Sequence, residues 1–419
     1  MTKMTYDQAV AWIHDQLKFG MKPGIKRMTW LLEQFDNPQK ELKAVHVVGT
    51  NGKGSTVNYL QEIFSQAGYQ VGTFTSPYLM DFRERISLNG QMISKKDLLF
   101  MVDLVKPIVE RLPKETSLGT ATEFEIITLI MILYFSRYQI VDIAIIEAGL
   151  GGRYDSTNVF QALAVVCPSI GLDHQEILGQ TYADIAAEKA AVLKNGEPFI
   201  FATDKEEVRT VFQTYAKKSQ SPLFELGLDF SYELKGKEFD FTSDLATLSN
   251  LSLNMLGQHQ VANASLALMT SLILQQSYPK LSLEIVRQAL AQAKWAGRLE
   301  MIEDNLMLDG AHNQESVAAL VTVLKETYDH RPIHILFAAI ANKPVEKMLE
   351  ALSIFNSLTV TSFDFDKALP LSAYPSTYTQ VMDFRTWLNR HQSDPEALYV
   401  VTGSLYFISQ VRKLLVKGK

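Results

Sequence analysis

Before residue 37 the apolar positions recur at helical spacing in two stretches, and beyond it short runs that are apolar throughout alternate with helix-period segments. A strand covered on both faces needs side chains that are apolar on both faces. The alternation therefore predicts an α/β class with a parallel sheet and crossover helices. In the first half the predicted strands are Ala44 to Val48, Gln70 to Phe74, Ile140 to Ile146, Ala162 to Ile170 and Pro198 to Ala202. From Leu223 to Leu256 the rhythm is lost, which predicts a small antiparallel appendage, and helical periodicity returns at His259 to Gln275. A second series begins near residue 299, with strands at Leu306 to Leu308, Pro332 to Ile340, Ser357 to Phe363 and Ala397 to Thr402. It predicts a smaller, Rossmann-like α/β domain. The expected division is residues 1–296 and 297–419, with the KWAGRL segment Lys294 to Leu299 as the hinge.

Length agrees with two domains, because 419 residues exceed what one hydrophobic core usually organises. Hydrophobic residues at 47% and charged residues at 21% describe an ordered globular protein rather than a disordered chain. A net charge of -6 without a Lys/Arg-rich run gives no footprint for polymeric nucleic acid. The single cysteine, Cys167, cannot form an internal disulfide, and its apolar run Ala162 to Cys167 marks it as a structural thiol of a reducing compartment. The longest apolar stretch, Ile126 to Phe135, falls short of the roughly 20 residues that span a bilayer. The opening MTKMTYDQAV lacks the apolar core of a signal peptide. The expectation is a cytoplasmic protein, neither exported nor membrane-bound.

Candidate chemistry begins directly after the first strand, at Gly49-Thr50-Asn51-Gly52-Lys53-Gly54-Ser55-Thr56. Glycines let successive backbone N–H groups turn toward phosphate oxygens, the following helix adds its positive end, and Lys53 supplies an ammonium. Ser55 or Thr56 could then touch a phosphate or its Mg²⁺. The usual G-x-x-x-x-G-K-[ST] spacing is altered, because Val47 stands at the first glycine position and Gly54 separates Lys53 from Ser55.

In open α/β sheets ligands bind beyond the carboxyl ends of the strands. The second predicted strand ends in Thr75-Ser76-Pro77, the third in Glu147-Ala148-Gly149 and the fourth in Gly171-Leu172-Asp173-His174. A hydroxyl, a carboxylate and an imidazole on that edge could hold Mg²⁺ against phosphate oxygens, although histidine is an uncommon ligand for so hard an ion. Lys189 is unusual by position. On the predicted helix Asp184 to Asn195 it falls amid Ile185, Val192 and Leu193, which predicts partial burial and a neutral, nucleophilic amine. Snorkelling of the head to water is the alternative. The second series repeats the edge logic with Asp309-Gly310-Ala311-His312-Asn313 after Leu308, then Lys343, Asp364 and Ser404 after later strands.

These motifs resemble the folylpolyglutamate synthase and dihydrofolate synthase family, a branch of the Mur ligase superfamily. The resemblance runs through RMTWLLEQFDNPQ at 27–39, HVVGTNGKGST at 46–56, TSPYLMDFRERI at 75–86, EAGLGGRYDSTN at 147–158 and GLDHQEILG at 171–179. It continues through AAEKAAVLK at 186–194, GQHQVANA at 257–264, GRLE at 297–300, DGAHN at 309–313 and TGSLY at 402–406. It implies an ATP-dependent ligase that adds L-glutamate to the carboxylate of a folate, tetrahydrofolate or dihydropteroate, through an acyl phosphate.

The resemblance also implies roles. The loop from Thr50 to Thr56 with Lys53 would hold the ATP phosphates. Ser55, Ser76, Glu147 and His174 would serve two Mg²⁺ ions together with Lys189 as a CO₂-derived carbamate. Asn263, Arg298, Asp309 and His312 would contact the nucleotide from across a cleft. Pro77, Tyr78 and Arg85 would lie near the folate, and Lys343 and Ser404 on the glutamate side. Asn342 stands before Lys343 where many relatives carry aspartate. The loop of Arg153 and Tyr154-Asp155-Ser156 is the one to inspect for the choice of pterin form, but single positions there do not discriminate between the two activities. The expected state is a monomer.

Two other readings compete. A cell-wall Mur ligase shares the chemistry, but only about 45 residues precede the phosphate loop, less than a domain that would bind a UDP-linked sugar. A nucleotide-switch ATPase would have no use for DGAHN or a carbamylated lysine.

Overall fold

The computed structural model describes residues 4–16, 24–341 and 343–417. It divides into two units, Met1–Asn254 with Val261–Ala293, and Met255–Gln260 with Lys294–Lys419.

The first unit is built on an eight-stranded sheet. Its strands are β1 (Ala44–Val47), β2 (Val71–Phe74), β3 (Ile86–Leu88), β4 (Gln91–Met92), β5 (Ile143–Glu147), β6 (Ala162–Cys167), β7 (Phe199–Phe201) and β8 (Leu223–Glu225), in the order β4-β3-β2-β5-β1-β6-β7-β8. Strands from β2 across to β8 run parallel, while β3 and β4 are antiparallel additions at the edge. All four residues of β1 and all five of β5 are buried, as strands covered by helices on both faces must be.

The helices of this unit are α1 (Tyr6–His14), α2 (Lys26–Glu33), α3 (Lys53–Gln66), α4 (Lys95–Glu115), α5 (Glu123–Leu133), α6 (Gln175–Leu178), α7 (Tyr182–Ala190), α8 (Glu206–Ser219), α9 (Gln258–Leu274) and α10 (Leu283–Gln292), although α9 begins in the second unit. The longest apolar stretch of the sequence forms α5, buried from Glu125 to Leu133, so being apolar all round makes it a core helix. A capping box between Thr122 and Glu125 starts it, and the Glu125 carboxylate also accepts from buried Arg27 Nε at 2.8 Å. A separate sheet of β9 (Phe230–Lys235), β10 (Glu238–Ser243) and β11 (Thr247–Ser252) is antiparallel and buries Phe239, Phe241, Leu248 and Leu251 on one face.

The second unit holds a six-stranded sheet, β12 (Glu300–Glu303), β13 (Leu306–Leu308), β14 (Ile333–Phe337), β15 (Ser357–Val360), β16 (Thr379–Gln380) and β17 (Leu398–Thr402), in the order β12-β13-β17-β14-β15-β16. Only β12 pairs antiparallel. Helices α11 (Gln314–Thr327), α12 (Val345–Leu352), α13 (Phe384–Leu388) and α14 (Leu405–Lys417) complete it.

The structure corrects several expected elements. The 223–256 stretch is not all appendage, because Leu223–Glu225 pairs in parallel with β7 and extends the main sheet. The third strand starts at Ile143 rather than Ile140, which is 73% exposed after the π-turn Tyr134–Tyr138. The helix carrying Lys189 ends at Ala190 rather than Asn195, so Val192 and Leu193 are buried from the chain that leaves it. The β3–β4 hairpin turns at Asn89-Gly90, both with positive φ, a pair suited to a tight hairpin, but strands of three and two residues are too short to show a period. Among the described residues no helix is long and apolar enough to cross a membrane.

Candidate active site

β1 lies between β5 and β6, and β2 lies beyond β5. The segments leaving the carboxyl ends of these four parallel strands therefore emerge side by side. After β1 the chain curls at Gly49 (φ 141°) and Gly52 (φ 84°). A Cβ at Gly52 would stand 2.4 Å from Asn263 Oδ1 and 2.9 Å from Pro168 Cβ, so both the turn and its packing require glycine. The loop is stitched to the chain after β6. Thr50 N–H donates to Ser169 O at 2.9 Å, Asn51 N–H donates to Ser169 Oγ at 3.0 Å, and Gly171 N–H donates to Thr50 Oγ1 at 3.0 Å. α3 starts at Lys53, so the N–H groups of Lys53, Gly54 and Ser55 face outward from a helix N-terminus, the usual cradle for an anion. Ser55 and Thr56 are buried in that first turn.

Lys53 Nζ donates to Gly49 O at 3.0 Å and Thr50 O at 3.2 Å, and stands 3.9 Å from Glu147 Oε1. Glu147 closes β5 with its side chain buried, and Oε2 accepts the Ser76 N–H at 3.3 Å. Lys189, 3% exposed in the last turn of α7, donates to the same Gly49 O at 2.9 Å. Two amines thus converge on one carbonyl. Burial, and then the Lys53 charge, hold Lys189 far below the ordinary lysine range, at about 7. Near neutral pH a substantial fraction is the free amine.

His174 stands at the start of α6 in the left-handed region (φ 53°), its side chain 43% exposed beside Asp173 at 4.0 Å and Glu176 at 3.9 Å. It occupies the same sheet edge, at the rim. In the 75–85 segment, which begins with a cis Ser76–Pro77 bond, the Glu84 carboxylate accepts N–H groups of Leu79, Met80 and Asp81 at 2.8, 3.1 and 3.0 Å. Arg85 donates to Glu123 at 2.9 Å and lies 5.4 Å from the ring centres of Tyr78 and Phe82. His14 Nδ1 meets the other Glu123 oxygen at 3.0 Å. Pro77 is exposed and Tyr78 half-buried.

In the second unit, Asp309 leaves β13 and accepts Leu299 N–H and Ala311 N–H, both at 2.9 Å. Arg298 packs over Gly310, where a Cβ would stand 2.7 Å from NH1. His312 Nδ1 lies 2.8 Å from Gly310 O; a carbonyl only accepts, so Nδ1 carries the proton. Asn313 caps α11 in a capping box with Ser316. Ser404 is buried, its Oγ accepting Tyr406 N–H at 3.2 Å at the start of α14. Lys343 is half-buried just before α12, and Asn342 lies outside the described residues.

Comparison with known proteins places this geometry. The Mur ligase middle domain family matches residues 47–271 and the Mur ligase glutamate ligase domain family matches residues 297–405. The dihydrofolate synthase/folylpolyglutamate synthase of Bacillus subtilis is 38% identical over 98% of this chain and 99% of its own. The folylpolyglutamate synthase of Lacticaseibacillus casei is 32% identical over 99% of this chain and 100% of its own. The chain belongs to the folylpolyglutamate synthase/dihydrofolate synthase family of Mur ligases. Among solved structures, the apo form of the L. casei folylpolyglutamate synthase superposes on this Mur ligase with a TM-score of 0.87 at 31% identity, covering 99% of this chain and 100% of that one. The Thermotoga maritima folylpolyglutamate synthase gives a TM-score of 0.85 at 31% identity, covering 99% and 97%.

Some groups of this Mur ligase escaped the sequence reading. His259, in the second unit, lies beside Asp309 and Arg298, and burial lowers its imidazole below the usual range. Its only signal was a place in the GQHQVANA motif. Glu123 and Glu84 escaped because their partners, Arg85 and the turn N–H groups, are visible only once the chain has folded back.

Burying Lys189 has a cost that pH exposes. The folded amine titrates at about 7 against an ordinary 10.5, so between those values the unfolded chain binds the extra proton and stability rises with pH. In CO₂-depleted buffer Lys189→Met is expected to melt above the native protein at pH 7, with the gain shrinking toward pH 10.5. Thermal melts across that range check it, and a variant less stable than the native chain at pH 7 would contradict the assignment.

Proposed function

We propose that this chain is an ATP-dependent ligase that joins L-glutamate to a folate carboxylate through an acyl phosphate. The carrying observation is the convergence of Lys53, Lys189 and the buried Glu147 on a glycine loop at a helix N-terminus. Full-length similarity to folylpolyglutamate synthases supports a folate acceptor over a UDP-linked sugar. The double name of the B. subtilis relative supports dihydropteroate as a second acceptor. An FPGS complex with AMPPCP and folate, with a TM-score of 0.86 at 32% identity over 99% of this chain, supports a triphosphate and a pterin as ligands.

In the reaction, a folate carboxylate oxygen attacks the γ-phosphorus of ATP and ADP leaves. The glutamate amine then attacks the acyl carbon, phosphate departs and the amine loses a proton. A carboxylate is a weak nucleophile, so the protein's work is to align it and to spread the phosphoryl charge. Lys53 and the N–H groups opening α3 face the phosphates, with Thr50, Asn51, Gly52, Gly54, Ser55 and Thr56 shaping the loop and Asn263 packed against it. Arg298, Asp309 and His312 are assigned to the nucleotide, Lys343 and Ser404 to glutamate, and Pro77, Tyr78 and Arg85 to the folate.

The donor set fits Mg²⁺. The buried Glu147 carboxylate shares the strand-end edge with Ser55 and Ser76, and one carboxylate with hydroxyls suits an ion that keeps waters and leans on phosphates. Ser55, Ser76, Glu147 and His174, with Lys189 as its carbamate, would hold two such ions. When bound, the ion supplies charge neutralisation at the transferring phosphoryl group. Lys189 is assigned a CO₂-derived carbamate, which converts a cation into an anionic oxygen pair while leaving one N–H for the Gly49 carbonyl. The protein is assigned to the cytoplasm as a monomer.

ADP release should require both L-glutamate and a folate, compared with dihydropteroate and tetrahydrofolate in parallel; pterin-independent hydrolysis would favour a nucleotide switch instead. Lys53→Ala is expected to lower turnover about 10²- to 10³-fold with the fold intact, and near-native kinetics in that variant would make the loop merely structural. ¹³CO₂ should give a carbamate carbon resonance that is absent from Lys189→Met; the same resonance in both proteins would rule the modification out.

A further inference from the structure

Behind the loop edge a buried hydrogen-bond chain crosses three of the elements that hold the site. His46, in β1, is 2% exposed, and its Nε2 lies 2.8 Å from Thr157 Oγ1. Thr157 is fully buried. Its Oγ1 is 2.5 Å from Asp155 Oδ1, and its N–H donates to the same oxygen at 2.9 Å. The other Asp155 oxygen accepts Leu150 N–H at 2.8 Å, and Gly149 N–H also reaches this carboxylate. These two residues follow Glu147 directly after Ala148. The loop then meets the last turn of α7, where Arg153 N–H donates to Glu188 O at 2.8 Å. Gly152 sits so close that a Cβ would be 2.8 Å from Glu188 O and 3.0 Å from Lys189 O.

The inventory of donors sets the direction of the chain. Three backbone N–H groups and a hydroxyl point at Asp155, which suits an ionised, accept-only carboxylate. Burial works the other way and raises its pKa. The hydroxyl proton of Thr157 is spent on Asp155. Oγ1 therefore accepts from His46, so Nε2 bears the proton. Burial lowers that imidazole to about 3, so the ring is neutral.

We infer that His46 and Thr157 are positioning residues for the ligase reaction. Through Asp155 they fix the 149–153 turn, which sets Glu147 at one end and the Lys189 turn of α7 at the other, in register with the phosphate loop that β1 feeds. The inference rests on the roles given above to Glu147 and Lys189. Oriented groups behind a site's contacting residues typically carry about 10- to 100-fold in activity.

The test uses the full chain. ¹⁵N-histidine NMR of the native protein should show His46 as the Nε2–H tautomer with a solvent-protected proton; an Nδ1–H tautomer or fast exchange overturns the chain of bonds. In kinetics, T157V should lower kcat about tenfold or more with the folate KM little changed, and T157S, which keeps the hydroxyl, should retain most of the activity. Equal losses in T157S and T157V overturn the proposal. Should T157V fold poorly, H46Q, which keeps an N–H donor, is expected to outperform H46L, and equal activity of that pair overturns it. If the native chain fails to ligate glutamate, the ligase reading falls while the tautomer still reports on the hydrogen-bond chain.

Discussion

One carbonyl oxygen organises this site. Gly49 O receives Lys53 from its own loop and Lys189 from α7, which lies 140 residues further along the chain. Burial, and then the nearby Lys53 charge, disfavour the ammonium form of Lys189. The same contact ties α7 to the glycine loop. Burying an amine there sacrifices stability.

Around that contact, rigidity comes from backbone groups more than from side-chain ion pairs. The glycine loop is held by the chain after β6, the 149–153 turn by Asp155, and the 79–81 turn by Glu84. Buried N–H groups must be satisfied, and here a few carboxylates and hydroxyls satisfy several at once. The loops of the edge are thereby ordered without regular structure. Cys167, in the strand beneath, is buried with its thiol pushed up to about 12. An unreactive thiol fits a packing role.

Much of the fold was legible because burial on both faces leaves a local mark. The runs opening at Ala44, Gln70, Ile140 and Ala162 stood out as apolar, and Gly49, Ser76, Glu147 and His174 lie at or just beyond the carboxyl ends of the strands they form, where open sheets bind ligands. Edge elements were less legible. β3, β4 and β16 span only two or three residues, and β12 carries a glutamate at each end, so none shows a period. Lys189 was picked out by its apolar neighbours, yet the helix meant to align them ends at Ala190, and Val192 and Leu193 reach the core from the following turn.

The sequence by itself determined the alternation of strands and helices, the glycine loop between a strand and a helix, and the set of polar residues at strand ends. Each depends on a residue and its near neighbours, through side-chain period, backbone freedom and helix polarity. Only the tertiary structure decided the partners: Gly49 O for Lys189, Ser76 N–H for Glu147, Glu123 for Arg85 and Thr157 for His46. The pairs of Gly49 with Lys189, Ser76 with Glu147 and Thr157 with His46 join chain at strands that are neighbours in the sheet order β2-β5-β1-β6. That order is settled by crossover packing across the whole unit, and no short window of sequence records which strand will lie beside which.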